Sequence, residues 1–498
     1  MANLFLRKPF DHLVAEADRA GLTLKRTLGP FNLIALGIGA IIGAGLFVRT
    51  AAAIADCAGP SVTVAFTLAG VGCAFAGLCY AEFASMIPIA GSAYTYAYAT
   101  MGELVAWIIG WDLVLEYAIG AATVAIAWSE YFNRFLGYFG LHVPYVWCHA
   151  PSEFMVENGA KVHGYMNVPA LGILLLLTLV LIRGTKESAL VNAVIVVTKV
   201  TIVLLVIALG WHFINPANHT PYIPPATTYV DKAGVAHSYG GFWGIVNAAG
   251  VVFFAFIGFD AVSTTAQEAK NPKRDMPIGI LGSLVICTLL YVLFAHVLSG
   301  IATVEDFRTQ GREASVAFAI SKYMHGYEWL SKFVTIAILG GFSSVILVML
   351  LGQSRVFYSM SSDGLVSPIF SQLHPTFRTP YKSNITFFFL TAAFAAFVPE
   401  DIVGDMTSIG TLFAFILVSA GVWIMRVKNP DAPRQFRVPG APVVAVLGVI
   451  TNGLMIYGLG WTNWARLGAW LVVGLVIYFT YGIKHSKLRN EPAPTATP

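Results

Sequence analysis

Runs of some twenty apolar residues recur along almost the whole chain, each closed off by glycine, proline or a charged residue. A helix needs about 20 such residues to cross the hydrocarbon core of a bilayer. In that environment backbone N–H and C=O groups are paired either within helices or around a closed barrel, and continuous apolar runs of this length, without a barrel strand's alternation, read as helices. They fall near residues 30 to 55, 61 to 87, 103 to 131, 167 to 182 and 188 to 213, then 242 to 268, 277 to 300, 328 to 361, 382 to 398 and 402 to 425, with a last pair near 441 to 460 and 464 to 483. The pattern predicts an all-α membrane protein with twelve transmembrane helices. Only 11% of the residues are charged, against about 25% in soluble domains, which excludes a soluble protein. The apolar run after Pro30 has no cleavable boundary of signal-peptide type, so it is expected to stay as the first span.

The basic clusters Arg7 to Arg26, Lys270 to Arg274, Arg426 to Arg437 and Lys484 to Arg489 place both termini in the cytoplasm by the positive-inside rule. The net charge of +4 belongs to those loops, and no nucleic acid partner is expected. Five cysteines, mostly in or beside apolar runs, read as packing residues. HExxH, GxSxG and phosphate-loop patterns are absent, and the eleven histidines show no paired ligand spacing. Neither an enzyme, nor a metal site, nor a cofactor is therefore expected.

Two spans carry an unusual load. The first reads GIGAIIGAGLF, with Gly37, Gly39, Gly43 and Gly45 together, and the sixth reads FFAFIGFDA, with Gly258 beside Asp260. Glycine inside a helix costs about 1 kcal/mol relative to alanine, and a carboxylate near the bilayer centre costs at least about 2.5–3.5 kcal/mol. Close helix packing would explain one such span. Two at the heads of two five-span sets point instead to paired broken helices, the mark of an inverted-repeat transporter. Amides opening a half-helix can hold a carboxylate, and freed carbonyls can accept from an ammonium group, so the break suits a zwitterion.

At this level of detail the chain resembles the amino acid, polyamine and organocation transporter superfamily, and within it the bacterial relatives of the cationic amino acid transporters. The stretches that carry the resemblance are GIGAIIGAGLFV (37 to 48), AGLCYAEFASMIPIAGSAYTYAY (76 to 98), GWDLVLEY (110 to 117), FIGFDAVSTTAQEAKNPKRDMPIGI (256 to 280) and MLLGQSRVFYSMSSDGL (349 to 365). The resemblance implies a 5+5 inverted repeat of leucine-transporter type plus two C-terminal helices. On that plan the chain divides into a cytoplasmic N-terminal segment 1–29, a first repeat 30–213, a second repeat 242–425, helices 11 and 12 over 441–483, and a cytoplasmic tail 484–498. It also implies that amides of Ala44 and Gly45, led into by Gly43, bind the substrate carboxylate, with the carbonyl of Ile41 facing its amino group. The sixth-helix break would add carbonyls of Phe254, Ala255 and Ile257, with Gly258 permitting the break and Phe256 as the gate.

Lys199 is the most informative ionisable residue, because it lies deep in VNAVIVVTKVTIVLLVIALG, too far from either end for easy snorkelling. Burial disfavours the charged form of a lysine, which suits a coupling site; a fixed ion pair tying helices together is the alternative. Likeness to proton-coupled members of the superfamily favours coupling, with Ser343 and Ser344 expected to accept hydrogen bonds from the lysine. Asp112 and Glu116 share one helix face, and Glu116 looks like the family's third-helix acid, so it is assigned to a network with Lys199 or the substrate. Asp260 is expected to cap the second half of the broken helix and Glu82 to serve as a polar anchor or a gate. Phe342 is the candidate specificity residue: pointing inward, it would favour small substrates.

The expected function is secondary active, proton-coupled symport of neutral and/or cationic L-amino acids by alternating access in the cell inner (plasma) membrane. An amino-acid or amine exchanger without proton coupling and a non-transporting amino-acid sensor are the alternatives. The partners are the substrate and the lipid bilayer, and the oligomeric state is left open.

Overall fold

The computed structural model describes residues 4–8, 28–86, 92–157, 160–184, 189–230, 236–260, 262–263, 269–309, 315–431, 434 and 436–490. Most of the expected N-terminal segment, the tail beyond residue 490 and much of the second half of the sixth span thus lie outside the described residues. Helix α1 (Pro30–Ile41) breaks and resumes as helical turns over residues 45–58, which pass through Gly59 into α2 (Val62–Met86). After α3 (Ser92–Thr100) comes α4 (Glu103–Gly137), widened by the five-residue π-helical turn Leu115–Ile119. The chain continues through α5 (Val168–Arg183), α6 (Ala189–Gly210), α7 (Gly241–Phe253), α8 (Pro272–Ile301), the short α9 (Val304–Thr309) and α10 (Ser315–Tyr323), α11 (Glu328–Ser362), α12 (Tyr381–Phe397), α13 (Glu400–Lys428), α14 (Ala441–Gly458) and α15 (Trp461–Ile477).

Among the described residues eight helical stretches are long and apolar enough to cross a membrane, and Pro30–Ile41, Val168–Arg183 and Gly241–Phe256 are shorter apolar helices. Side chains such as Leu175, Leu176 and Leu179 on α5, and Val197 and Leu204 on α6, face outward. An apolar exterior on this scale fits lipid rather than water. Helix starts follow their local chemistry: Pro30 opens α1, where its missing N–H costs nothing, and the Asn167 side chain accepts from the amide of Ala170 to cap α5.

The described chain is mostly helical, and its connections add two short hairpins. Two antiparallel strand pairs, β1 (Phe154–Glu157) with β2 (Ala160–His163) and β3 (Thr227–Val230) with β4 (Ala236–Tyr239), lie in the long connections before α5 and after α6. These connections satisfy their backbone groups across paired strands. The five cysteines are free and buried.

Inside the bundle, α8 packs on α1 and α2, α11 on α4, and α13 on α14. Helix α6 touches α1, α8 and α11. The broken first helix therefore lies against three others, and every residue from 45 to 58 is buried.

Candidate functional site

Backbone geometry builds the centre of the molecule. After Ile41 the chain turns extended at Ile42 (φ −72°, ψ 103°) and becomes helical again at Gly45. The sixth span does the same: α7 gives way to a narrow turn at Phe254–Phe256, Ile257 is extended (φ −58°, ψ 134°), and Gly258 takes φ 115°, a left-handed conformation open to glycine. The two breaks touch. A Cβ on Gly45 would fall on the backbone of Ala255, and one on Gly258 would fall 2.8 Å from the carbonyl oxygen of Ala40. Gly43 is looser, since its Cβ would meet only a Val345 methyl at 3.3 Å. Tyr291 on α8 completes the crossing, its hydroxyl lying 2.9 Å from the carbonyl oxygens of both Ile41 and Ala255.

A small cavity opens at this crossing. Its free space is about 10 Å³, room for roughly one water, so a substrate needs the site to widen. The backbone rim is Ala40, Ile41, Gly43, Ala44 and Gly45 from the first break with Phe254 and Ile257 from the second, and the remaining wall is Val124, Val345 and Met349. Of the residues expected from sequence, Ile41, Gly43, Ala44, Gly45, Phe254 and Ile257 thus border the cavity, while Ala255 and Gly258 form the contacts between breaks. Phe256 points elsewhere, its ring 5.3 Å from that of Tyr291 and 6.2 Å from that of Phe66. Phe342 also lies outside the rim, packed against Tyr131 and Phe47. Tyr291, Val124, Val345 and Met349 escaped sequence reasoning, because an aliphatic or aromatic residue in an apolar helix carries no local mark.

Lys199 enters this centre from α6. The side chain is 3% exposed and its ammonium donates to the carbonyl oxygen of Gly39 at 2.8 Å. Its stem crosses α11 where that helix has no side chain: a Cβ on Gly341 would sit 2.9 Å from the lysine Cε. No carboxylate lies within ion-pair range of Lys199 among the described residues. Ser343 and Ser344 donate instead to the carbonyls of Leu339 and Gly341 on their own helix, at 2.8 and 2.9 Å.

Glu116 belongs to a different group. It lies in the widened turn of α4, fully buried, with Asp260 and Asp112 as electrostatic neighbours. Tyr117 of the same turn donates to Asp260 at 3.0 Å. Asp260 is thereby tied to α4, which local sequence could not show because its partner is 143 positions away. Glu82 is held by Arg426 at 2.6 and 2.8 Å and by the amide of Val438 at 2.8 Å, a fully engaged anchor joining α2 to the end of α13.

Beyond the break, Arg49 is 1% exposed and faces three carboxylates at the start of α13. Its guanidinium lies 3.2 Å from Asp401 and 3.7 Å from Glu400, and it also bonds Asp405, whose other oxygen accepts from Asn463 at 3.1 Å. Arg308 donates to the carbonyl of Ala55 at 2.8 Å and Ser315 to that of Phe47 at 2.7 Å. This arm of the first helix is pinned along its length. Among the described residues no group of three or more His, Cys, Asp or Glu is arranged to hold a metal ion.

Two touching helix breaks, a cavity between them and a buried lysine of α6 bonded to one of them are the arrangement that membrane transporters build from discontinuous helices. A family model described as amino acid permease matches residues 28–478. The chain belongs to that family, within the amino acid, polyamine and organocation superfamily, and is a multi-pass membrane protein. It is 42% identical to the branched-chain amino acid permease BcaP of Bacillus subtilis over 98% of this chain and 99% of the relative. It is 38% identical to the methylthioribose transporter of the same organism, over 98% and 100%. It is also 38% identical to cationic amino acid transporter 9, chloroplastic, of Arabidopsis thaliana, over 83% of this chain and 69% of that one.

Proposed function

We propose that the chain is a twelve-span secondary active transporter, with a 5+5 inverted repeat and two further helices, that moves neutral aliphatic L-amino acids together with protons across the plasma membrane, with both termini in the cytoplasm. The observation that carries the substrate class is the wall facing the two breaks: Val124, Val345 and Met349 are apolar, and a cationic side chain would need an acid there. Two relatives named as branched-chain amino acid permeases agree with it. The amides opening the helix at Ala44 and Gly45 take the substrate carboxylate, and the carbonyls around Ile41 and Phe254 take its ammonium group.

Proton coupling rests on the Lys199 contact. A protonated lysine donates to Gly39 and steadies α1 at the break; a neutral amine has lost that charge-assisted bond, so protonation state and the position of α1 are linked. Glu116, beside Asp260, is the second proton-carrying group in this reading, working through α4 and the sixth-span break rather than through an ion pair with Lys199. Alternating access then moves the helices around a site that opens and contracts.

The test is uptake of labelled leucine, alanine, arginine and methylthioribose into proteoliposomes with and without an inward proton gradient, for wild type and Lys199→Ala. Leucine accumulation that needs the gradient and vanishes in Lys199→Ala while leucine binding persists is the expected result. Gradient-independent exchange by both proteins would make Lys199 structural and the protein an exchanger. Binding without any uptake would leave the sensor reading, and preferred uptake of arginine or methylthioribose would overturn the substrate class.

A further inference from the structure

A second groove lies away from the helix breaks, at the end of the bundle where residues 4–8 and 487–490 meet the rest of the chain. It encloses about 410 Å³ between the last turn of α11, the loop that follows it and the C-terminal segment. Tyr358, Ser361, Ser362, Ser371 and Tyr481 line it together with His485 and Lys487, and none of the lining residues is acidic.

Asp363, between the lining residues Ser362 and Gly364 in sequence, is already engaged. Asp363 binds the Lys8 ammonium at 3.0 Å and the Tyr94 hydroxyl at 2.7 Å, and its backbone carbonyl accepts from the amide of Lys487 at 3.0 Å. The positive side of the groove is therefore not cancelled by Asp363. The His485 ring stacks on Tyr481 at 4.1 Å, and its Nδ1 lies 2.9 Å from the Tyr481 carbonyl. A carbonyl only accepts, so Nδ1 carries the hydrogen and Nε2 is left for another partner.

Both walls are held firmly. The C-terminal segment is fastened to the start of α4 through Glu103, whose carboxylate accepts from Tyr98 at 3.0 Å, Tyr478 at 2.8 Å, Arg489 at 2.6 Å and also Ser486. Gly364 packs directly on the His485 carbonyl, with no space for a Cβ. A groove between fixed walls loses little freedom on filling.

We propose that this groove binds a phosphate group, presented by an anionic phospholipid headgroup, with Lys487 supplying charge, the His485 ring forming part of the wall and the serine and tyrosine hydroxyls supplying hydrogen bonds. Its position favours lipid over free phosphate as the source. The groove begins where a long apolar helix ends, Tyr358 is exposed beside it, and Ile369, Leu373 and Phe377 of the adjoining loop are exposed apolar side chains. Aromatic residues and cations at the end of an apolar helix are the composition that meets headgroups. A bound headgroup would bridge α11 to the C-terminal segment, and through Glu103 to α4.

The test is the melting temperature of the full-length protein in neutral detergent with added phosphatidylglycerol, phosphatidylcholine or inorganic phosphate. Phosphatidylglycerol is expected to raise it by about 2–4 °C more than phosphatidylcholine does. The H485A/K487A double variant should lose most of that difference while melting near wild type without lipid, since both side chains are exposed. Ser362→Asp, which places a negative charge in the groove, should abolish it independently of the double variant. A rise reproduced by inorganic phosphate alone would keep the anion site and reassign its source. Equal shifts with the two lipids and none with phosphate, or a full phosphatidylglycerol shift in both variants, would overturn the proposal.

Discussion

Arg49 and Lys199 are both buried cations gripping the broken first helix, and they are neutralised in opposite ways. Arg49, 1% exposed, meets Glu400, Asp401 and Asp405 on α13, whereas Lys199, 3% exposed, meets one backbone carbonyl, that of Gly39. A guanidinium stays protonated in proteins and has to be buried with its counter-charges. An ammonium held by a carbonyl dipole alone carries a charge that it can give up. One arm of the helix is thus fastened permanently and the other by a bond that protonation can make or remove.

Removing the fixed cation should have the largest effect on stability. Arg49→Ala removes the buried guanidinium from between Glu400, the half-exposed Asp401 and Asp405, and the cost approaches that of breaking a buried pair, about 3–5 kcal/mol, only in so far as these carboxylates are shielded from water. Thermal unfolding in detergent should show a large drop for Arg49→Ala and a smaller one for Lys199→Ala; equal drops would erase the distinction between the two cations.

Lys199→Arg sharpens the contrast, because it keeps a cation near Gly39 that does not titrate. Leucine binding should persist, while accumulation driven by a proton gradient should fall about tenfold or more, a loss of about 1.4 kcal/mol or more in coupling. Binding is read by isothermal titration and accumulation in proteoliposomes; wild-type accumulation would show that the lysine never needs to release its proton.

An ion pair outside the membrane-spanning helices supplies the smallest effect. Burial opposes ionisation of Asp306, but hydrogen bonds from Lys322, Tyr323 and Thr303 outweigh it and hold the carboxyl at about 2. A depressed carboxylate stabilises the fold fully above its unfolded value of about 4 and loses that contribution as pH falls toward 2. Melting temperatures of wild type and Asp306→Asn should therefore differ modestly at pH 5 and converge between pH 4 and 2. A constant gap over that range would mean that this pair contributes nothing through its charge.

Much of the centre was legible beforehand for a local reason. Glycine clusters in a hydrocarbon-spanning run announce a backbone that leaves the helix, and a lone lysine in such a run announces a buried charge; both signals sit within a few positions. Gly43 and Gly45 read as equals in sequence, yet only Gly45 meets the opposing backbone. The reading of Glu116 as an acid near the coupling lysine drew on family likeness, whereas its neighbours here are Asp260 and Asp112. Phe256 was a plausible gate among four phenylalanines in one stretch, and nothing in the stretch says which ring turns toward the cavity.

The apolar runs by themselves determined that this chain is a helical membrane protein, because continuous runs of about twenty apolar residues fit spanning helices and not the short, alternating strands of a barrel, and the paired glycine-rich breaks determined where a site would form. Tertiary structure alone decided the partners. Arg49 finds its carboxylates more than 350 positions away, and Tyr291 joins two breaks from a third helix, 250 positions beyond the first of them. Such contacts depend on which helix faces lie together, and that is set by the packing of the whole bundle rather than by any short stretch of residues.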